Sequence, residues 1–128
     1  MFGGTNDFGT DVKLGSPYDA DENTFYGALN ILCEGIAEKY IGKTIVFITP
    51  LYRVCNPNKN GNTLQEYRDA IIKIAKDKFK FYVIDGLSLG LGKDTENLKE
   101  LLFDGLHPTP IAHETIGAKL AEALSVII

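Results

Sequence analysis

Tryptophan is absent from this chain, methionine occurs once, and cysteine occurs only at Cys33 and Cys55. Two cysteines are too few for a disulfide scaffold, and these two are not spaced as a zinc pair. Cys33 falls on an apolar helical stripe, where cysteine serves as a small core residue, and Cys55 falls in a polar loop as a free thiol. An excess of basic residues is also missing. The 13 Lys and Arg stand against 17 Asp and Glu for a formal charge of −4, which gives no electrostatic reason to expect a nucleic-acid partner. No apolar run approaches the length that spans a bilayer. Histidine is confined to His107 and His113, and serine to Ser16, Ser88 and Ser125, so the residues able to carry nucleophilic chemistry are few. Nothing in the composition assigns a compartment.

What remains is an ordinary globular composition, 45% apolar over 128 residues, enough for one domain with one core. The opening "MFGGTNDFG" reads as the end of a strand followed by a turn. "TDVKLGSPYDADEN" is a loop leading to a helix that starts at Asp21 or Asn23. Phe25, Leu29, Leu32, Ile36 and Tyr40 then recur at helical spacing up to Gly42, a C′ residue. "TIVFIT" is a short β-branched run without polar alternation, as in a strand buried on both faces, and Pro50 stops it.

A second helix begins with Thr63 and Glu66 in capping-box spacing and buries Leu64, Tyr67, Ile71 and Ile74. "KFYVID" is the next strand, followed by a glycine-rich loop and a short helix around Leu98 to Leu102. The last helix starts with Thr109 as N-cap and Pro110 at N1, and directs Ile111, Ile116, Leu120, Leu124 and Ile127 inward. Helix alternating with apolar strand predicts a single α/β domain over residues 1–128 with a parallel sheet.

Two places concentrate chemistry. In "FDGLHPTP", Asp104 precedes His107 by three residues on one loop, so its carboxylate can hold Nδ1 and leave Nε2 as a general base. In "GGTND", Asn6 offers either an oxyanion donor or a residue tolerant of the left-handed turn after Gly4. Taken singly, each has an ordinary loop explanation.

Together, "GGTND" resembles the third conserved block of the SGNH (GDSL-like) hydrolases, Gly-x-Asn-Asp, and "DGLHP" resembles their last, Asp-x-x-His-Pro. The order and distance of the blocks and the intervening segment are also similar to that family, so the resemblance runs over essentially the whole chain. It implies a three-layer α/β/α, flavodoxin-like fold and a serine ester hydrolase acting through a Ser-His-Asp triad. Asp104 and His107 would be catalytic, and Asn6 would be the side-chain donor of the oxyanion hole. Gly4 would shape the turn, and Asp7 would hold it.

The resemblance also implies a gap, because the Gly-Asp-Ser nucleophile block and the second-block glycine are not in this sequence. The expectation is a C-terminal portion of such a domain, beginning inside a strand, with the earlier strands missing and the isolated chain inactive. An exposed sheet edge would then favour self-association or a bound N-terminal piece.

Thr5, Asp7, Phe8 and Tyr52 are candidate substrate contacts for a small-molecule, carbohydrate or lipid ester. Phe8, Tyr18 and Tyr52 with Arg53 belong either to the cleft mouth or to loop packing. The implied chemistry needs no metal or organic cofactor. The runner-up reading is a non-catalytic binding or interaction module on the same scaffold.

Other motifs fail. "GLSLG" formally matches a nucleophile elbow at Ser88, but the glycines that follow make a poor helix start, and about 20 residues to His107 leave little room for a triad of that fold. "GLGKDT" lacks P-loop spacing, and "HETIG" lacks the second histidine of a zinc-protease helix. His113 and Glu114 are read as a solvated helix face.

Overall fold

The computed structural model describes residues 1–128. Its sheet is built on β1 (Val46–Ile48) and β2 (Tyr82–Ile84), which pair in parallel with Val46 opposite Tyr82 and Ile48 opposite Ile84. The first residues extend it. The Met1 amino group donates to the Val46 carbonyl at 2.7 Å, the Ile48 N–H donates to the Met1 carbonyl at 2.8 Å, and Phe2 bridges Ile48 in parallel. The spatial order is therefore Phe2, β1, β2, in an open sheet.

Parallel neighbours need crossovers, and helices supply them. α1 (Thr5–Gly9) and α2 (Phe25–Lys39) lie between Phe2 and β1. α3 (Leu64–Ile71), continuing as a π-helix over Ile72–Lys78, lies between β1 and β2. A 3₁₀ turn at Gly86–Leu89, the short α4 (Leu98–Leu101) and α5 (Pro110–Ile127) complete the chain.

Side chains alternate across a strand, and the alternation here divides two cores. Phe47 is buried with Phe25, Leu29, Tyr67, Ile71 and Ile74 of α2 and the α3 segment. On the other face Ile84 is buried with Leu89, Leu91, Leu102, Ala112 and Ile116, and Val46 and Ile48 pack against that cluster. Helices thus cover both faces of a parallel sheet, as the α/β pattern predicts. No helix is long and apolar enough to cross a membrane.

The helix starts follow local chemistry. Glu66 accepts the Thr63 N–H at 2.7 Å, completing the capping box, and the Thr109 hydroxyl oxygen caps α5 through the Ala112 N–H at 3.4 Å. α2 starts later than its sequence suggests. Asp21 is used in a turn, accepting the Asn23 N–H at 2.8 Å, so Thr24 becomes the cap and takes the Gly27 N–H at 3.1 Å. Ile111 is not inward but 67% exposed, because it sits one residue, about 100° around the helix, from the buried Ala112–Ile116 stripe. "TNDFG", expected as a turn, is the short helix α1; a segment this short shows no periodicity to read.

Candidate active site

Three chain segments meet in an open cleft of about 410 Å³. The first is Phe2 to Asp7, the second Pro50 to Arg53, and the third Leu106 to Pro108. The sheet brings the first two together, since Phe2 and β1 are paired neighbours and each segment leaves the same end of its strand.

Gly4 makes the first segment possible. It has φ of +102°, and a Cβ there would lie 3.2 to 3.4 Å from Pro50, Ile71 and Phe25, so glycine provides both the left-handed turn and the close approach. The chain then enters α1, with Asn6 exposed at the cleft. The backbone carbonyl of Asn6 receives the Thr10 hydroxyl at 2.9 Å, and its carboxamide makes no hydrogen bond within the chain.

Thr49 anchors the second segment. It is fully buried where β1 ends, accepts the Gly86 N–H at 2.9 Å and donates to Asp85 at 3.3 Å, linking the ends of both strands. Arg68, also buried, donates to the carbonyls of Pro50 and Leu51 at 2.9 Å each. Burial pulls the Arg68 pKa down from its ordinary value, partly opposed by the nearby Asp85 charge, and these carbonyls satisfy a guanidinium that remains cationic.

The third segment is a closed loop. Leu102 and Pro108 form an antiparallel bridge, Gly105 takes φ of +78°, and the Gly105 carbonyl accepts the Val54 N–H at 2.8 Å. Within it Asp104 Oδ1 accepts the N–H groups of Leu106 and His107 at 2.9 and 2.7 Å, while Oδ2 lies 2.5 Å from His107 Nδ1. The hydrogen bonds from the His107 backbone and ring, together with Leu106, hold the Asp104 carboxyl well below the usual carboxylate range. An ionised Asp104 can only accept, so Nδ1 carries the proton and Nε2 is left as the basic nitrogen. The Phe103 ring lies beside the imidazole, 5.8 Å between centroids and 21° between planes.

No family model matches the chain, and no curated protein matches it at a significant level. Solved structures do. One, 29% identical, superposes with a TM-score of 0.90 over 98% of this chain and 63% of its own. A Lactobacillus plantarum protein, 26% identical, gives 0.89 over 99% of this chain and 65% of its own. A possible lipase from Chitinophaga pinensis DSM 2588, 21% identical, gives 0.76 over 98% and 71%. The chain shares its fold with these proteins. It spans less than two thirds of the length of the first two.

Of the sequence-selected residues, Thr5, Asn6, Asp7, Tyr52 and His107 line one cleft, and Asp104 lies directly behind His107. Phe8 does not line it; it is 3% exposed in the core, edge-on to Tyr67 at 5.6 Å. This is the inward side of α1, opposite Asn6. Tyr18 is 93% exposed and also outside the cleft. Asp7 braces the turn through its backbone carbonyl, which accepts the Val12 N–H at 3.0 Å, rather than through its carboxylate.

None of the three serines lines the cleft. Ser88 is exposed within the 3₁₀ turn, donating to the Asp85 carbonyl at 2.7 Å, and Ser125 donates to Glu122 within α5 at 2.6 Å. The structural supports Thr49 and Arg68 carry no motif. Only the contacts of the folded chain reveal them.

Proposed function

We propose that this chain is the base-and-oxyanion portion of a serine ester hydrolase of the SGNH type, deacylating a carboxylic or acyl-carbohydrate ester. The observation that carries the reading is the 2.5 Å contact of Asp104 with His107 Nδ1, made at the rim of the cleft that Asn6 also lines. His107 Nε2 takes the proton of a serine hydroxyl as that oxygen attacks the ester carbonyl, and returns it to the departing alcohol. The same nitrogen then deprotonates the water that cleaves the acyl-enzyme. Asp104 holds the ring and stabilises the imidazolium, and the Asn6 amide donates to the tetrahedral oxyanion. Thr5, Asp7 and Tyr52 line the space left for substrate.

On this reading the serine comes from residues outside these 128, since no serine within them borders the cleft. That same observation favours one alternative, a binding module that retains the scaffold without chemistry. Hydrolysis of p-nitrophenyl acetate separates the two. We expect turnover by a longer polypeptide that supplies the upstream residues, lost on His107→Ala, and background rates for the 128-residue chain. Turnover by neither, or turnover indifferent to His107→Ala, favours the binding module.

A further inference from the structure

The mechanism above gives Arg53 no task, yet its side chain lines the cleft and its hydrogen bonds all run from Nη1 to one residue. Nη1 donates to the Thr5 carbonyl at 3.1 Å and to the Thr5 hydroxyl at 3.2 Å, across 48 residues of sequence. The guanidinium lies 5.5 Å from the Phe8 ring centroid. No carboxylate pairs with it; the two ion pairs of the chain are Lys59 with Asp11 and His107 with Asp104. Its Nε is buried without a partner. The guanidinium forgoes an ion pair and leaves Nε orphaned, and its two hydrogen bonds to Thr5 and its place over the Phe8 ring hold it against α1.

The Thr5 carbonyl belongs to the peptide unit joining Thr5 to Asn6, so Nη1 fixes the plane from which the Asn6 side chain departs. α1 has little means of holding itself. It is five residues long, and its N-cap is Gly4, which offers no side-chain cap. At its far end a Cβ on Gly9 would come within 3.2 Å of Nη1, so glycine leaves the space the guanidinium fills. The backbone beside Arg53 is tied in the other direction, through the Val54 N–H to the Gly105 carbonyl of the histidine loop at 2.8 Å. Arg53 therefore spans the two catalytic segments, its side chain on one and its neighbouring peptide on the other.

We infer that Arg53 is a positioning residue that sets where the Asn6 amide stands relative to His107. The inference rests on the hydrolase reading, so its test has one readout that needs no catalysis. In the 128-residue chain, Arg53→Met should shift and broaden the Asn6 side-chain amide resonances. Those of Asn30, held by the Pro17 and Asp19 carbonyls at 3.1 and 3.0 Å, should stay in place.

In the longer, active polypeptide Arg53→Met should lower kcat about tenfold or more with KM nearly unchanged, since misplacement of about 1 Å can cost roughly 10² in rate. In an Asn6→Ala background the same change should cost nothing further. Arg53→Lys, a single-point donor, should restore part of the rate. Gly9→Ala, which crowds the guanidinium without removing it, should give a smaller loss that also vanishes without Asn6, and it keeps the test intact if Arg53→Met does not fold. Equal losses in both backgrounds, a change in KM alone, or an unmoved Asn6 amide would overturn the inference. A displaced amide with no His107-dependent hydrolysis would instead support the positioning and refute the hydrolase reading.

Discussion

At the scale of single residues, Asp104, behind the cleft, accepts from two backbone N–H groups and one imidazole. Its pKa is depressed in the folded chain, so the pair's contribution is present above the unfolded value of about 3.9 and fades as pH falls through the lower folded value. The His107 loop should therefore keep its structure at pH 4 and open only in stronger acid. Loss of the protected His107 amide signal above pH 4 would contradict this.

In the longer polypeptide that the proposed function requires, Asp104→Asn should lower kcat by about 10⁴, as expected when the wrong imidazole tautomer is favoured. Asn6→Ala should lower it by roughly 10² to 10³ with unchanged melting. Unaltered turnover in either variant would remove that residue from the mechanism. Cys33, fully buried, has its thiol pushed up to about 11 by burial, partly offset by Lys78. A disulfide-exchange reagent at pH 8 should label exposed Cys55 and spare Cys33; two fast-reacting thiols would show the α2 core to be open.

At the scale of elements, the cleft depends on a close contact between strand ends and the turn after β2. A Cβ on Gly86 would stand 2.2 Å from the Thr49 carbonyl oxygen and 2.6 Å from that of Pro50, both backbone atoms that cannot swing away. Gly86→Ala should cost about 3 kcal/mol and displace the Tyr52–Arg53 segment, measured by denaturant midpoint and by the Arg53 side-chain signals; a neutral outcome would show the turn to be compliant. Tyr67 tests the opposite core. It is fully buried, donating to the Val12 carbonyl and accepting from Asn58 at 3.1 Å, so Tyr67→Phe should cost about 1–3 kcal/mol while sparing the cleft.

These elements also show what sequence can carry. Capping at Thr63 and Thr109 and the Asp104–His107 pair rest on contacts within a few residues, and the strands around Phe47 and Val83 show as short apolar runs although their pairing spans 36 residues, so each is legible locally. Phe8 gives no such local signal, because a one-turn helix has no period to reveal its inward face. The Arg53–Thr5 and Arg68–Pro50 contacts span 48 and 18 residues, distances at which only the folded topology creates the neighbourhood. Ile111 shows a smaller failure, where an apolar residue one position off the stripe faces water.

At the scale of the molecule, the Phe2 side of the sheet has no strand beyond it, and next to it lies an apolar groove of about 230 Å³ bordered by Met1, Phe25, Leu29, Leu32 and Ile71. Leu32 is 38% exposed there. An open edge beside apolar surface invites strand pairing, so the 128-residue chain should associate in sedimentation at micromolar concentration, and a clean monomer would contradict that. The cleft holds His107 and Asn6, with Asp104 behind the imidazole, and no serine lines it; on the proposed reading the nucleophile is supplied from outside these residues.

The measurement that tests this most directly is intact mass after exposure to a fluorophosphonate, which phosphonylates activated serines, for the chain alone and for the longer polypeptide the proposal requires. The account predicts no adduct on the 128 residues, and a single adduct on an upstream serine that disappears with His107→Ala. An adduct on Ser88, or none in the longer polypeptide, would contradict it.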